Sequence, residues 1–179
     1  SLLSFSSEKI LQKWGGVVPE IAARNHMEKI PVLISALLQE TKLNTGELNC
    51  LAVTTNPGLL GPLLTGLNAA KTLALLYELP ICPVNHLKAH LEAIHLTETI
   101  HYPYIGLLVS GGHSAYYLVE GPDQFKVLGK TIDDAAGEAL DKGGKLLGLE
   151  YPAGRKIDEL AKKGNPHAYS FPIGLKNKP

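Results

Sequence analysis

Apolar residues recur at helical spacing in the first part of the chain. Pro19 and Glu20 suit a helix start, because proline fits the first turn and an acidic residue favours the positive end of the helix dipole. Apolar positions then repeat near the helical period through about Thr41, with Pro31 expected to bend the helix. The pattern predicts further helices at about 63–77, 87–97, 133–147 and 154–163.

Short apolar runs between turn residues predict the strands. Tyr104–Ser110 is almost wholly apolar, which is typical of a strand covered on both faces. Gly111-Gly112 then turns the chain into a β-meander. Strands alternating with helices, together with hairpins, favour an α/β fold with one mixed sheet and helices on both of its faces. The predicted strands are 51–55, 80–84, 104–110, 114–119 and 125–129.

Composition and charge fit a globular domain and narrow its function only slightly. The 179 residues are 45% hydrophobic and 19% charged, and 17 basic residues balance 17 acidic ones. A net charge of zero provides no overall basic field for nucleic acid, although a local patch is compatible with an RNA substrate.

The expected location is the cytoplasm, without a membrane. No run approaches the ~20 apolar residues of a membrane span, and the first residues lack the features of a secretory signal. Cys50 and Cys82 each lie in an apolar run and are expected to be buried, reduced thiols.

His86 directly precedes the predicted helix 87–97, and His90 lies within that helix, four residues further along the chain. Histidines at this spacing share one helix face, so both imidazoles can reach one metal ion. The alternative is a surface pair without a metal, since seven histidines produce such spacings by chance. Leu87 stands where the metalloprotease motif has glutamate, and a third ligand is still needed.

Ser110-Gly111-Gly112 ends the apolar strand, and His113 follows. Glycines allow backbone amides to approach a phosphate without an intervening side chain. An ordinary hairpin turn explains the same residues equally well.

Acidic residues gather on the predicted helix 133–147. Asp133 and Asp134 are expected to cap it. Asp141 lies two turns further along the same face as Asp134, where its carboxylate could bind ribose hydroxyls. Gly154 and Asp158, at the start of the next helix, could hold the other side of the ribose or base; the alternatives are a turn glycine and an exposed charge.

Five motifs occur in an order that closely resembles the tRNA N6-adenosine threonylcarbamoyltransferase family, formerly called the O-sialoglycoprotein endopeptidase or glycoprotease family. The resemblance covers nearly the whole chain, from about Gly15 to Pro172. The motifs are Gly15-Gly-Val-Val-Pro-Glu-Ile-Ala-Ala-Arg-Asn-His26, the His86/His90 pair, Leu107-Leu-Val-Ser-Gly-Gly-His-Ser114, Ile132-Asp-Asp-Ala-Ala-Gly-Glu-Ala-Leu-Asp-Lys142 and Lys145-Leu-Leu-Gly-Leu-Glu-Tyr-Pro-Ala-Gly154.

The resemblance implies an actin-like ATPase (ribonuclease H-like) lobe, with a mixed sheet and flanking helices, as an incomplete copy of a two-lobe protein. Residues 1–110 would be the N-terminal lobe lacking its first strand, and residues 111–179 the truncated start of the second lobe. The first strand with its phosphate-contacting loop, and an aspartate metal ligand of the C-terminal lobe, are expected outside this chain. The chain alone is therefore expected to be inactive.

The implied activity is transfer of a threonylcarbamoyl group from threonylcarbamoyl-adenylate to N6 of the adenosine next to the anticodon in tRNA. One divalent metal ion, iron or zinc, is implied, and ATP or another adenine nucleotide is a further expected ligand. No side chain is assigned as catalytic. By matching position, the metal ligands are His86 and His90, the adenylate phosphate and carbamoyl contacts are Leu108, Val109, Ser110, Gly111 and Gly112, and the ribose and base contacts are Asp141, Gly154 and Asp158.

The expected partners are tRNA, the adenylate nucleotide and a homologous subunit in a hetero- or homodimer. Two other functions are compatible with the family: a metal-dependent glycoprotein endopeptidase, and a non-catalytic paralogue acting as a dimer scaffold. The lack of glutamate after His86 disfavours the first, and the histidine pair itself disfavours the second.

The chain departs from the usual family motifs at three places, one of which is Asn56 before Pro57 in the usual Ala-Gly-Pro-Gly turn. The metal helix usually reads His-His-x-Glu-Gly-His, and Asn85, Lys88 and Ala89 replace three of those residues here. The usual Tyr-Pro-Gly-Gly-Pro becomes Tyr151-Pro-Ala-Gly-Arg155, which adds a methyl group and a cation near the expected base pocket.

Overall fold

The computed structural model describes residues 1–6, 8–122 and 124–172. Residues 173–179 of the predicted second lobe lie outside this described part. The helices are α1 Glu8–Gln12, α2 Pro19–Thr41, α3 Leu60–Tyr77, α4 His86–Glu92, α5 Ala136–Leu146 and α6 Gly154–Ala161. The strands are β1 Leu51–Asn56, β2 Ile81–Asn85, β3 Tyr104–Val109, β4 Ser114–Gly121 and β5 Gln124–Lys130.

The fold is α/β, as predicted, but the strands of the described residues form two sheets rather than one mixed sheet. β1 and β2 are parallel, with Leu51 opposite Ile81. The other three strands form an antiparallel meander in the order β3-β4-β5, with Leu108 opposite Ala115. Between the two sheets in sequence, β2 passes directly into α4, and α4 packs against the meander.

Helix α3 packs on the parallel pair, and α2 packs against α3. The two helices approach closely at Gly61, where an added Cβ would lie 3.2 Å from the Cβ of Ala23. Gly66 faces Val53 of β1. The helix predicted from Pro19 continues without interruption through Pro31 to Thr41.

Helix α4 connects the two sheets. It begins immediately after β2, and its Leu91 enters the core of the meander with Leu108, Tyr117 and Val119. Val119 is 1% exposed and is the largest fully buried side chain among the described residues. Gly106 makes room for this packing, since a Cβ there would lie 2.5 Å from Cδ2 of Leu91.

The other face of the meander is open. Ile105, Leu107, Val109 and Tyr116 point away from the core and are 53–58% exposed. The prediction that the strand 104–110 is covered on both faces is therefore wrong for the described residues, because only the α4 face is packed.

The start of α5 differs from its prediction. The helix begins at Ala136 after the N-cap Ala135, and the Ala136 amide donates a hydrogen bond to Ser114 Oγ at 2.9 Å, so Asp133 and Asp134 are not its caps. Asp134 instead uses its carbonyl to accept a hydrogen bond from Thr131 and its carboxylate to bind Lys142 Nζ at 2.5 Å.

Three further observations bear on the expectations from sequence. Cys50 and Cys82 are free but exposed, so the prediction of burial is wrong. The β3–β4 hairpin crosses the boundary placed between residues 110 and 111. Of the helices in the described ranges, none has the length and apolarity required to traverse a bilayer.

Candidate functional site

His86 and His90 meet on one face of α4, as their spacing predicts. Their Nε2 atoms lie 3.2 Å apart, and their rings meet edge to face with centroids 4.4 Å apart. Two imidazole nitrogens bound to one tetrahedral zinc at 2.0–2.1 Å would be separated by about 3.3 Å. The observed pair therefore fits two ligands of one metal ion.

Asn85 fixes the start of the helix that carries this pair. It is the N-cap of α4, and its side-chain oxygen accepts hydrogen bonds from the amides of Leu87 at 2.9 Å and Lys88 at 3.1 Å. These bonds satisfy amide groups that have no partner within the helix. Asn85, which departs from the usual family motif, thus holds His86 at the first position of the helix, a role that sequence reasoning missed.

The electrostatics around His86 favour its neutral form. Burial lowers the pKa of His86 below its ordinary value, and the positive charges that His90 and His113 carry when protonated lower it further. A neutral imidazole is the form that binds a metal. Among the described residues, no group of three or more His, Cys, Asp or Glu side chains is arranged around one metal position.

The turn Ser110–His113 is closed by hydrogen bonds between its ends, and its two glycines are exposed. Ser110 and His113 exchange hydrogen bonds, from the Ser110 amide to the His113 carbonyl at 2.8 Å and from the His113 amide to Ser110 Oγ at 3.0 Å. A Cβ added to Gly111 or Gly112 would meet nothing within 4 Å. The backbone of both glycines is therefore accessible to a ligand.

Helix α5 supports this turn from behind. The Gly137 amide donates to the Ser110 carbonyl at 3.2 Å, and a Cβ on Gly137 would lie 2.7 Å from Cα of Gly111. Only a glycine allows the two backbones to approach so closely.

His86 and the diglycine turn open into the same cleft, which has a volume of about 730 Å³, whereas His90 is not among the residues that line it. His86, Ser110, Gly112 and His113 line it, and the His86 and His113 ring centroids are 6.3 Å apart. Further walls come from α2, including His26, and from the turn after β1, including Pro57 and Gly58.

Three residues predicted near the adenylate are outside the lining of this cleft. The Leu108 side chain is buried in the core, and the Val109 side chain is on the open face of the meander, so only their backbones could reach a ligand in the cleft. Gly111 is exposed at the tip of the turn.

Asp141, Gly154 and Asp158 lie together at the α5–α6 junction and are not among the residues that line the cleft. Asp141 Oδ1 accepts a hydrogen bond from the Ala153 amide at 2.7 Å, directly before the start of α6 at Gly154. Asp158 is exposed and pairs with Lys162 at 2.7 Å. Both carboxylates therefore have partners within the chain.

His26 was not predicted as a site residue, although the structure places it in the cleft wall. Its Nδ1 lies 2.6 Å from the carbonyl oxygen of Ala22, one turn earlier in α2. The available signal was its position as the last residue of the first family motif, Gly15–His26.

The sequence model of one family, TsaD, described as tRNA N6-adenosine threonylcarbamoyltransferase, matches residues 2–179. Relatives bearing that name include one from Lactococcus lactis subsp. cremoris, 52% identical over 93% of this chain and 48% of its own length. Another, from Geobacter sulfurreducens, is 52% identical over 90% of this chain and 48% of its own length. The chain thus spans about half the length of these relatives.

Among solved structures, the chain is similar to one described as YeaZ from Pseudomonas aeruginosa. The two are 13% identical with a TM-score of 0.43, and the match covers 59% of this chain and 52% of that one.

Proposed function

This chain belongs to the tRNA N6-adenosine threonylcarbamoyltransferase family, and from that premise we propose that it forms part of an enzyme that transfers a threonylcarbamoyl group from threonylcarbamoyl-adenylate to N6 of the adenosine next to the anticodon in tRNA. In this transfer the amine nitrogen forms a bond to the carbamoyl carbon, and the bond from that carbon to the phosphate oxygen of AMP breaks. The main structural support is the cleft that His86, Ser110 and Gly112 share.

His86 and His90 are the proposed holders of one divalent metal ion, iron or zinc. The 3.2 Å separation of their Nε2 atoms and the lowered pKa of His86 both suit this role. Such an ion, when bound, would supply positive charge to the carboxylate or carbonyl oxygen of the threonylcarbamoyl group. The two imidazoles, held by the cap at Asn85, would fix where that group lies.

The diglycine turn is the proposed cradle for the adenylate phosphate and the carbamoyl oxygen. Gly111 and Gly112 leave their backbone open, Ser110 adds a hydroxyl, and Leu108 and Val109 would contribute backbone groups only. AMP is a good leaving group, so orienting the acyl carbon toward the amine and stabilising the developing charge would provide much of the rate enhancement.

Asp141, Gly154 and Asp158 are proposed to hold the ribose and base of the adenylate, or of ATP or another adenine nucleotide. The bond from the Ala153 amide to Asp141 sets the backbone on which Gly154 would meet the nucleoside. Asp158 is exposed, so a ribose hydroxyl could replace its contact with Lys162 at little cost.

At the scale of the whole protein, the proposal includes an actin-like fold of two lobes, residues 1–110 in the first and 111–179 in the second. The proposed partners are tRNA and a homologous subunit, and the proposed location is the cytoplasm. β3 and β4 pair across residues 110 and 111, so the proposed boundary falls within the turn of one hairpin.

In the experiment, the protein expressed from its complete gene is incubated with radiolabelled threonylcarbamoyl-adenylate and unmodified tRNA. Label should enter the tRNA, and His86→Ala should abolish the transfer. His101→Ala, which alters an exposed histidine outside the cleft, is the matched control. Transfer at the wild-type rate by His86→Ala, or after a chelator has removed metal, would contradict the proposed site.

A further inference from the structure

The ionisable side chains that line the cleft are three histidines, His26, His86 and His113. No Asp, Glu, Lys, Arg, Cys or Tyr is among the described residues of this lining. A group that accepts a proton from a substrate bound there must therefore be one of the three imidazoles, as far as this chain supplies it.

Of these imidazoles, His86 belongs to the proposed metal pair, and His113 lies beside it. Nε2 of His86 faces Nε2 of His90 at 3.2 Å. The His113 ring lies next to the His86 ring, with 6.3 Å between centroids, and its backbone closes the diglycine turn. His26 comes from a different element, α2, and is the one of these three whose ring is bonded to the backbone of its own helix.

The hydrogen bond of His26 determines which of its nitrogens can accept a proton. Nδ1 lies 2.6 Å from the Ala22 carbonyl oxygen, and a carbonyl oxygen can only accept. Nδ1 therefore carries hydrogen, and in the neutral imidazole the lone pair is on Nε2. This is the tautomer that a general base requires.

The part of α2 that carries His26 is firmly packed. Ala22 and Asn25 are the buried residues of this helix, and Ala23 packs against Gly61 of α3. The exposed His26 ring is thus held by its own backbone bond on a helical turn whose Ala22 and Asn25 are buried. A proton acceptor placed in this way loses little freedom when a substrate binds.

We infer that Nε2 of His26 accepts the proton that the tRNA amine loses during acyl transfer, an inference that rests on the proposed function. The lone pair of adenosine N6 attacks the carbamoyl carbon and forms the new C–N bond. The electrons of the breaking C–O bond leave with AMP, and one N6 proton passes to Nε2 of His26 and then to water. The exocyclic amine of adenine is a weak nucleophile, so removing its proton as the bond forms lowers the barrier.

The test compares His26→Gln with Arg24→Gln in the protein as its gene encodes it. Arg24 is exposed on the same helix and pairs with Glu20, which makes its substitution a matched control. We expect kcat for transfer to fall by about 10²–10³-fold in His26→Gln. Metal content, adenylate affinity and the unfolding midpoint should remain close to wild type, and added imidazole should restore part of kcat.

Three results would overturn the inference. The first is a kcat of His26→Gln within about threefold of wild type. The second is a loss of metal or adenylate affinity that matches the loss of kcat, because His26 would then act in binding or folding. The third is an absence of transfer by the wild-type protein, in which case the proposed function fails and the role of His26 fails with it.

Discussion

The two predicted parts of the site differ in what their side chains do in the folded chain. On the cleft side, His86 and the Ser110–Gly112 turn face a common open space. On the carboxylate side, at the α5–α6 junction, Asp141 binds a backbone amide and Asp158 binds a lysine. The first set lines an open cleft, whereas the two carboxylates of the second lie outside that lining and bind donors of α5 and α6 or of the segment between them.

This difference reflects how far the role of each residue is determined by the sequence immediately around it. Two histidines four residues apart share a face whatever surrounds the helix, and adjacent glycines leave a backbone open wherever they occur. A carboxylate on a helix has no such fixed role, because it binds the nearest donor. The donor that binds Asp141 is the backbone amide of Ala153, twelve residues further along the chain.

The largest expected effect tests the cleft side. His90→Ala removes one of the two proposed ligand nitrogens, so zinc affinity should fall by about 100-fold or more. Isothermal titration of the metal-free chain with zinc measures the change, and His101→Ala should bind as wild type does. Equal affinity in His90→Ala would identify the pair as surface histidines and remove the contrast between the two sides.

A steric change at the α5–α6 junction should have the next largest effect. A Cβ on Gly144 would lie 2.1 Å from the Cβ of Ala153, so Gly144→Ala should force the helices apart and lower the free energy of unfolding by about 1–3 kcal/mol. Urea denaturation checks this. Gly143→Ala, where a Cβ meets nothing within 4 Å, should leave stability unchanged or raised.

The same Gly144→Ala variant should keep its affinity for zinc, because the histidine pair is on α4 and not at the α5–α6 junction. A parallel fall in zinc affinity would show that the two sides are mechanically connected.

Loss of the helix cap should have a moderate effect. Asn85→Ala leaves the amides of Leu87 and Lys88 without their side-chain acceptor and should cost about 1 kcal/mol of stability. Zinc affinity should fall by a few-fold, while Asn85→Asp should retain both properties because aspartate caps equally well. If Asn85→Ala binds zinc as tightly as wild type, the cap does not position the histidines.

The smallest effect on stability is expected at Asp158. Its pair with Lys162 is exposed, so Asp158→Asn should change the free energy of unfolding by less than about 0.5 kcal/mol. Glu159→Gln, in the neighbouring exposed pair with Arg155, is the control. Fluorescence titration with an adenine nucleotide then distinguishes the two sides: weaker binding by Asp158→Asn alone would show that the carboxylate side also receives a ligand.

The sequence predicted elements better than their burial. Helix α2 and the three-stranded meander follow from apolar spacing and from the diglycine turn, both of which are local signals. The exposure of Val109 and of Cys82 could not be read in this way, because an apolar run shows only that burial is favourable. Whether a face is covered depends on elements distant in sequence.

The same limit explains the errors around α5. Asp133 and Asp134 have the residue type of helix caps, yet Thr131 and Lys142 engage Asp134 and the helix begins two residues later. Conversely, the cap at Asn85 and the place of His26 depend on the path of the chain after β2 and on the packing of α2. The sequence alone does not specify either.

The open face of the meander has a practical consequence for handling this chain. Ile105, Leu107, Val109 and Tyr116 form a flat, water-exposed apolar area on adjoining strands. Such an area binds dyes like anilinonaphthalene sulfonate and promotes self-association as concentration rises. Mild detergent or a charged substitution at Leu107 should therefore improve recovery during purification.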